Sequence, residues 1–181
     1  MRLKRASSRF LGLFLGLLAA ATISAQDNPN LDRRTLRGIK GVLVYAGVAK
    51  DIEEAGLRTH VVKTDTELKL RQAGIRVLET HAEFRSTPGS PMLVVAVEGV
   101  SHTGAYGFSL SVSLSQNVVL QRDPSLRPVG EFRGAAFSAD TWNTATVGVQ
   151  IGNPSETIRS SVKDLVDQFV NAYLSANHKL P

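Results

Sequence analysis

The chain has 181 residues, with 21 lysines and arginines against 16 aspartates and glutamates, and no cysteine. Four of the basic residues lie within the first 25 positions, which leaves 17 basic against 16 acidic side chains in the remainder. That near-neutral remainder argues against a nucleic-acid-binding patch, and the lack of cysteine excludes disulfides and a lipid anchor on cysteine.

The first 25 residues have the pattern of a secretory signal peptide. Four basic residues precede an apolar run over residues 10–21, and the segment TISA that follows ends in the small residue Ala25. The run is shorter than the roughly 20 apolar residues that span a bilayer. We therefore expect cleavage after Ala25 and export to the periplasm or exterior of a bacterium, with an uncleaved anchor helix as the alternative.

The remainder predicts one domain. Residues 26–37 are polar and contain Pro29, so we interpret them as a flexible leader. Residues 38–177 suit a single hydrophobic core, and residues 178–181 form a short tail. No segment of the mature chain is expected to insert stably in a membrane.

The first half of the domain predicts a strand and a helix. The apolar run Val42–Ala46 lies between glycines and suits a buried strand. Thr59 is placed to cap a helix that runs to Ala73, and Gly74 then supplies the left-handed residue after its end.

Two strands and a loop follow that helix. Residues 75–78 predict a short strand, and residues 81–91 predict a loop because they contain Pro88, Gly89 and Pro91. Met92–Val100 is nearly all apolar, which indicates a strand near the centre of the sheet.

Alternation of apolar and polar residues predicts two long strands in the second half. From Phe108 the apolar residues occupy one face, and Ser109, Ser111, Ser113 and Ser115 occupy the other. A last strand fits residues 135–149, with its odd-numbered residues facing inward. Its even-numbered residues would then share the serine face: Ser138, Asp140, Trp142, Thr144 and Thr146.

The final helix is predicted to begin at an Asn153 cap, with Pro154 in its first turn. Apolar residues from Ile158 to Tyr173 recur at 3.6-residue spacing along one stripe. The predicted order is β-α-β-β-β-β-α. We therefore expect an α+β two-layer sandwich, with a largely antiparallel sheet of four to five strands and two helices on one face.

Two segments resemble known proteins. Thr64–Ile75 (TDTELKLRQAGI) and Asp164–Leu174 (DLVDQFVNAYL) are similar to segments of an uncharacterised group of exported bacterial proteins. The layout also resembles small envelope domains, namely the lipopolysaccharide-assembly and curli-secretion lipoproteins, whose lipidated cysteine this chain lacks. The resemblance implies an α+β fold and an envelope role, and it transfers no site residue.

The sequence contains no recognisable catalytic or metal-binding motif. The four histidines are scattered, and no serine lies in a nucleophile motif at a strand-to-helix turn. We therefore predict no catalytic residue, no cofactor and no metal. The alternative is a small hydrolase or ligand-binding protein, with a site built from two loops that carry His81, Glu83, Arg85, His102 and Tyr106.

The remaining candidate is a surface that binds a partner. Aromatic residues among small polar ones are typical of interface hot spots, and an exposed strand edge offers a second route of binding. There are two alternatives to a docking face. One is an ordinary solvent-facing sheet surface, and the other is a structural subunit that only self-associates. The hypothesis is a docking face for a protein of the cell envelope, formed by Ser109, Ser111, Ser113, Asp140, Trp142 and Thr144.

Overall fold

The computed structural model describes residues 33–123 and 137–177. Several predicted segments lie outside the described residues. They are the signal peptide over residues 1–25, the leader up to residue 32, residues 124–130 between the last two predicted strands, the start of the last strand at 135–136, and the tail over 178–181.

The described strands form one mixed sheet in the order β2-β1-β3-β4-β5. Its strands are β1 (Val42–Val48), β2 (Val77–Leu78), β3 (Met92–His102), β4 (Ala105–Val118) and β5 (Phe137–Ile151). β1 runs parallel to β2 and β3, whereas β3, β4 and β5 are successively antiparallel. The parallel pairs follow from helices that carry the chain back between these strands. The α+β class is confirmed, and the sheet is mixed.

The helices are α1 (Lys50–Glu54), α2 (Thr59–Gln72), α3 (His81–Ser86) and α4 (Ser155–Asn177). Of these, α1, α2 and α4 cover one face of the sheet, and α3 lies beside β2. Val62 and Leu70 of α2 and Phe169 of α4 join the same buried cluster as Leu93 and Leu110 of the sheet. The predicted packing of two helices against one face is therefore correct. Among the described helices, none has the length and apolar character needed to cross a bilayer.

Two local predictions, the cap of the first long helix and the loop over residues 81–91, were wrong, and the prediction for Gly74 was right. The cap of α2 is Arg58, because the amide and hydroxyl of Thr59 both donate to the Glu53 carboxylate. Residues 81–86 form α3 rather than loop, since the Thr80 hydroxyl accepts the amide of Glu83 and caps the helix. Gly74 has a φ of +75°, as predicted for the residue that ends α2.

A β-bulge at Thr141 divides β5 into two parts, and the even-numbered side chains of one part face the opposite side of the sheet from those of the other. Leu114 lies opposite Trp142 and Ser115 opposite Asp140, so Thr141 is an extra residue without a register partner on β4. Each added residue in a strand turns all later side chains to the other face. Side chains before Thr141 therefore follow the predicted orientation, and those after it are reversed.

The bulge overturns the predicted positions of Trp142 and Thr144. Both side chains face the helices, with exposed fractions of 4% and 7%. Trp142 packs edge-on against Phe169 at 5.2 Å between ring centres, and the Thr144 hydroxyl donates to Gln168 at 2.7 Å. Thr146 follows the same orientation. The odd-numbered Ala145, Val147 and Val149, predicted to face inward, face outward.

The described part of the predicted leader, residues 33–37, is packed against the domain. Leu36 is fully buried, and its carbonyl accepts the side-chain amide of Asn177 at 3.0 Å. Gly38 donates its amide to the same side chain, and the Tyr173 hydroxyl donates to the carbonyl of Ile39. The end of α4 thus holds the segment that leads into β1.

Candidate functional site

The face of the sheet opposite the helices is the candidate site, and we call it the open face. Its members follow from the strand register, because directly opposite residues point to the same side. β1 contributes Leu43, Tyr45 and Gly47, and β3 contributes Met92, Val94, Ala96, Glu98, Val100 and His102. β4 contributes Ala105, Gly107, Ser109, Ser111, Ser113, Ser115 and Asn117. β5 contributes Ser138, Asp140, Asn143, Ala145, Val147, Val149 and Ile151.

The serine row lies where the sequence predicted it. The inward neighbours Leu110, Val112 and Leu114 are fully buried. Ser115 shares a hydrogen bond of 2.6 Å with Ser138 across to β5. In the described part of the chain, the hydroxyls of Ser109, Ser111 and Ser113 make no hydrogen bond to protein atoms, so they remain available to water or a partner. Asp140 is also exposed on this face.

Large aliphatic side chains cluster at one end of the open face, which the sequence did not predict. Val100, Val147, Val149 and Ile151 have exposed fractions of 68%, 51%, 67% and 82%. Val100 and Val149 flank Gly107 in one cross-strand row, and Ile151 lies opposite Ala105. We call these four residues the apolar corner. Ala105 and Gly107 of β4 lie between these side chains, and because they are small they leave the aliphatic side chains accessible to solvent.

The open face has a one-sided charge. Apart from the Tyr45 phenol, the ionisable side chains that the described strands place on it by register are the carboxylates of Glu98 and Asp140 and the imidazole of His102, and these strands place no lysine or arginine there. An ordinary protein surface carries both signs on about a quarter to a third of its residues. The face therefore offers hydrogen-bond acceptors, two negative charges and apolar area, and it complements a cationic partner.

By contrast, carboxylates with lowered pKa values lie on or beside the helices and not on the open face. The pKa of Asp65 is lowered, first by hydrogen bonds from Arg159, whose Nε and Nη2 donate to the carboxylate at 2.7 and 3.1 Å. Hydrogen bonds from Thr59 lower the pKa of Glu53. For Glu83, the amide of Glu79 and then the Arg76 side chain lower the pKa. These groups fix helix ends and a helix pair, which is a structural role.

The alternative loop-built site is not brought together. α3, which carries His81, Glu83 and Arg85, packs near β2, at the end of the sheet where β3 begins. His102 lies ten residues further along β3, a separation of roughly 30 Å at the rise of a strand. Tyr106 lies opposite Ser101, one residue before His102, at the same distant end. Glu83 is also already engaged by Arg76 at 2.7 Å.

Within residues 33–123 and 137–177, no three His, Asp or Glu side chains approach closely enough to hold a metal ion. A small groove between α2 and α4, next to Asp65 and Arg159, has room for about one water molecule. That groove is part of the ion-paired helix contact.

Comparisons with known proteins leave the chain without an assigned family. A scan against family models gives no match, and neither does a search of curated proteins. Among solved structures, the chain is similar to a PelC dodecamer from Paraburkholderia phytofirmans, with 13% identity and a TM-score of 0.39. The match covers 84% of this chain and 97% of that one. A likeness at this TM-score transfers no function to the chain.

Proposed function

We propose that the chain is an exported, non-enzymatic binding or assembly module of a bacterial envelope, which engages a protein partner through its open face. The observation that carries this proposal is the composition of that face. It combines serine hydroxyls without a hydrogen-bond partner among the described residues, two carboxylates beside which the described strands place no lysine or arginine, and the four exposed residues of the apolar corner. Contiguous exposed apolar area of this kind marks interaction sites.

The chemistry of the face specifies the partner's surface. A partner that places a lysine or arginine near Glu98 would form a charge-assisted hydrogen bond. Aliphatic side chains of the same partner would cover the apolar corner. The buried centre of a protein interface is depleted of charged residues, and the apolar corner has that composition. Burying two uncompensated carboxylates is costly, so a partner without cations is disfavoured.

Export is supported by the first 25 residues and is tested separately. The full chain is expressed in a bacterial host, and the N-terminal residue of the purified protein is determined. We expect the protein in the periplasmic or extracellular fraction, with Gln26 as its first residue. Recovery of the intact chain from membranes would instead support the anchor alternative.

Binding is tested by charge reversal with a matched control. The tagged wild-type protein and two variants, Glu98→Lys and Asp164→Lys, capture partners from an envelope extract. Glu98 lies on the open face, whereas Asp164 is exposed on α4, in the helix layer. We expect one partner retained by the wild type and by Asp164→Lys, and lost with Glu98→Lys.

Two results would overturn the assignment of the open face. One is capture of the same partners by all three proteins, and the other is the absence of any partner with the wild type. Replacing Trp142 would not test this surface, because its side chain belongs to the core.

A further inference from the structure

The two edges of the sheet are protected very differently. β2 forms one edge, and it has only two residues, with α3 packed against it. Very short edge strands and a covering helix are common ways to prevent unwanted strand pairing. β5 forms the other edge with 15 residues, and in the described ranges no strand pairs with its outer side.

The long part of β5 lacks charged residues and prolines, two of the features that normally block edge pairing. From Asn143 to Ile151 the sequence NTATVGVQI contains no charged residue and no proline. The bulge lies before this segment, at Thr141, whose carbonyl already accepts the Thr35 hydroxyl at 2.9 Å. Nine consecutive residues therefore present an uncharged edge with backbone groups on its outer side.

We propose that this edge pairs, antiparallel, with the same edge of a second copy of the chain. A neutral segment meets no like-charge repulsion from its own copy, whereas a charged edge would select a partner of opposite sign. Antiparallel pairing of identical strands about a two-fold axis is self-complementary and closes as a dimer. The inference goes beyond the proposed function, because it uses the backbone edge of β5 and not Glu98, although Val147, Val149 and Ile151 of the apolar corner lie on the same strand.

The register of this dimer follows from the length of the segment. Pairing Asn143 with Ile151 uses the whole stretch and places Val147 opposite its own copy, with Ala145 opposite Val149. All of these are open-face residues, so the two open faces join on one side of a ten-stranded sheet. The aliphatic side chains of the two β5 strands then form one continuous apolar strip across the junction.

The size of the contact indicates a reversible dimer. Nine paired residues span about 30 Å of edge, and a sheet layer is about 10 Å thick. The area is therefore smaller than the roughly 800 Å² per partner of a standard stable interface. We expect monomer and dimer to exchange and the dimer fraction to rise with protein concentration.

The test uses charges at the centre of the proposed pairing. Val147→Lys and Val147→Glu are each compared with the wild type by sedimentation velocity over a roughly hundredfold range of concentration. Val100→Lys is the matched control, because Val100 is exposed on the same face but belongs to β3. We expect each Val147 variant alone to lower the association constant about tenfold.

An equimolar mixture of Val147→Lys and Val147→Glu should recover dimerisation, since opposite charges then face each other. Val100→Lys should dimerise as the wild type does. The inference is overturned if the wild type remains monomeric at every concentration, or if the Val147 variants associate as strongly as the wild type. It is overturned as well if the mixture dimerises no more than either variant alone. It is also overturned if Val100→Lys is equally disruptive, which would indicate packing through the open face.

Failure of this inference is distinguishable from failure of the proposed function. Glu98→Lys should lose the envelope partner yet still dimerise, because Glu98 lies on β3, two strands away from the edge. Val147→Lys should lose the dimer, and because Val147 also belongs to the apolar corner, only its effect on dimerisation tests this inference.

Discussion

Along β4 the two faces of the sheet alternate residue by residue and differ completely in their surroundings. Leu110, Val112 and Leu114 are fully buried beneath the helices, while the serines between them remain partly or fully exposed with hydroxyls unused by the protein. Burial of apolar area supplies most of the stability of a small domain. The helix-covered face therefore holds the fold together, whereas the open face adds little buried apolar area along the serine row.

The largest expected difference between the faces involves β5. Replacing Trp142 by Ala should destabilise the protein by about 3–5 kcal/mol, because it empties the space beside Phe169. Val149→Ala, on the same strand but on the open face, should change stability by less than about 0.5 kcal/mol. Urea unfolding of both variants checks this, and equal stabilities would contradict the reversal at the bulge.

Two glycines test the same contrast with one chemical change. A Cβ on Gly99 would lie 2.8 Å from the buried side chain of Ile52, whereas nothing lies within 4 Å of a Cβ on Gly107. We expect Gly99→Ala to cost about 1–3 kcal/mol through overpacking. Gly107→Ala should be neutral within about 0.5 kcal/mol. Thermal unfolding distinguishes them, and a neutral Gly99→Ala would mean that α1 packs less closely than described.

A smaller effect should come from the ion pair between α2 and α4. Arg159 lowers the pKa of Asp65 in the folded state, from an ordinary value of 3.8. The pair therefore contributes stability above that value and loses it as pH falls through the lowered pKa. Both side chains are partly exposed, so we expect only about 0.5–1 kcal/mol.

The measurement compares urea unfolding at pH 7 and at pH 3 for the wild type and Asp65→Asn. Asp65→Asn should be less stable than the wild type at pH 7, and the difference should shrink at pH 3. A difference that stays constant with pH would assign the effect to packing and not to the charge of Asp65.

The smallest effect is expected on the serine row. Ser111→Ala should leave the free energy of unfolding within about 0.5 kcal/mol of the wild-type value, because its hydroxyl has no protein partner to lose among the described residues. Unfolding in urea measures this change. A loss of more than about 1 kcal/mol would indicate that the hydroxyl bonds within the folded chain.

Much of the fold follows from periodicity in the sequence. The stripe from Ile158 to Phe169 repeats every 3.6 residues, and β4 alternates cleanly between aliphatic residues and serine. Each pattern identifies an element and the side that it buries. Together with the order of elements, these two patterns were enough to predict a two-layer sandwich with helices on one face.

The site was predicted only in part, and the reason is local. β5 carries apolar residues on both parities, with Trp142 on one and Val147 and Val149 on the other, so composition did not indicate which side faces the core. The bulge depends on a contact with β4 and has no signature of its own. α3 was detectable, because Thr80 and Glu83 have the spacing of a capping box, but the nearby prolines favoured a loop.

Because Thr141 is one extra residue in β5, it decides which face of the sheet every later side chain of that strand joins. Deleting it would turn the valines toward the helices and expel the indole into solvent. The make-up of the exposed surface is thus governed by a spacer of one residue. Any redesign or recombination of this protein must conserve the count between Asp140 and Trp142, even where the side chains themselves are exchanged.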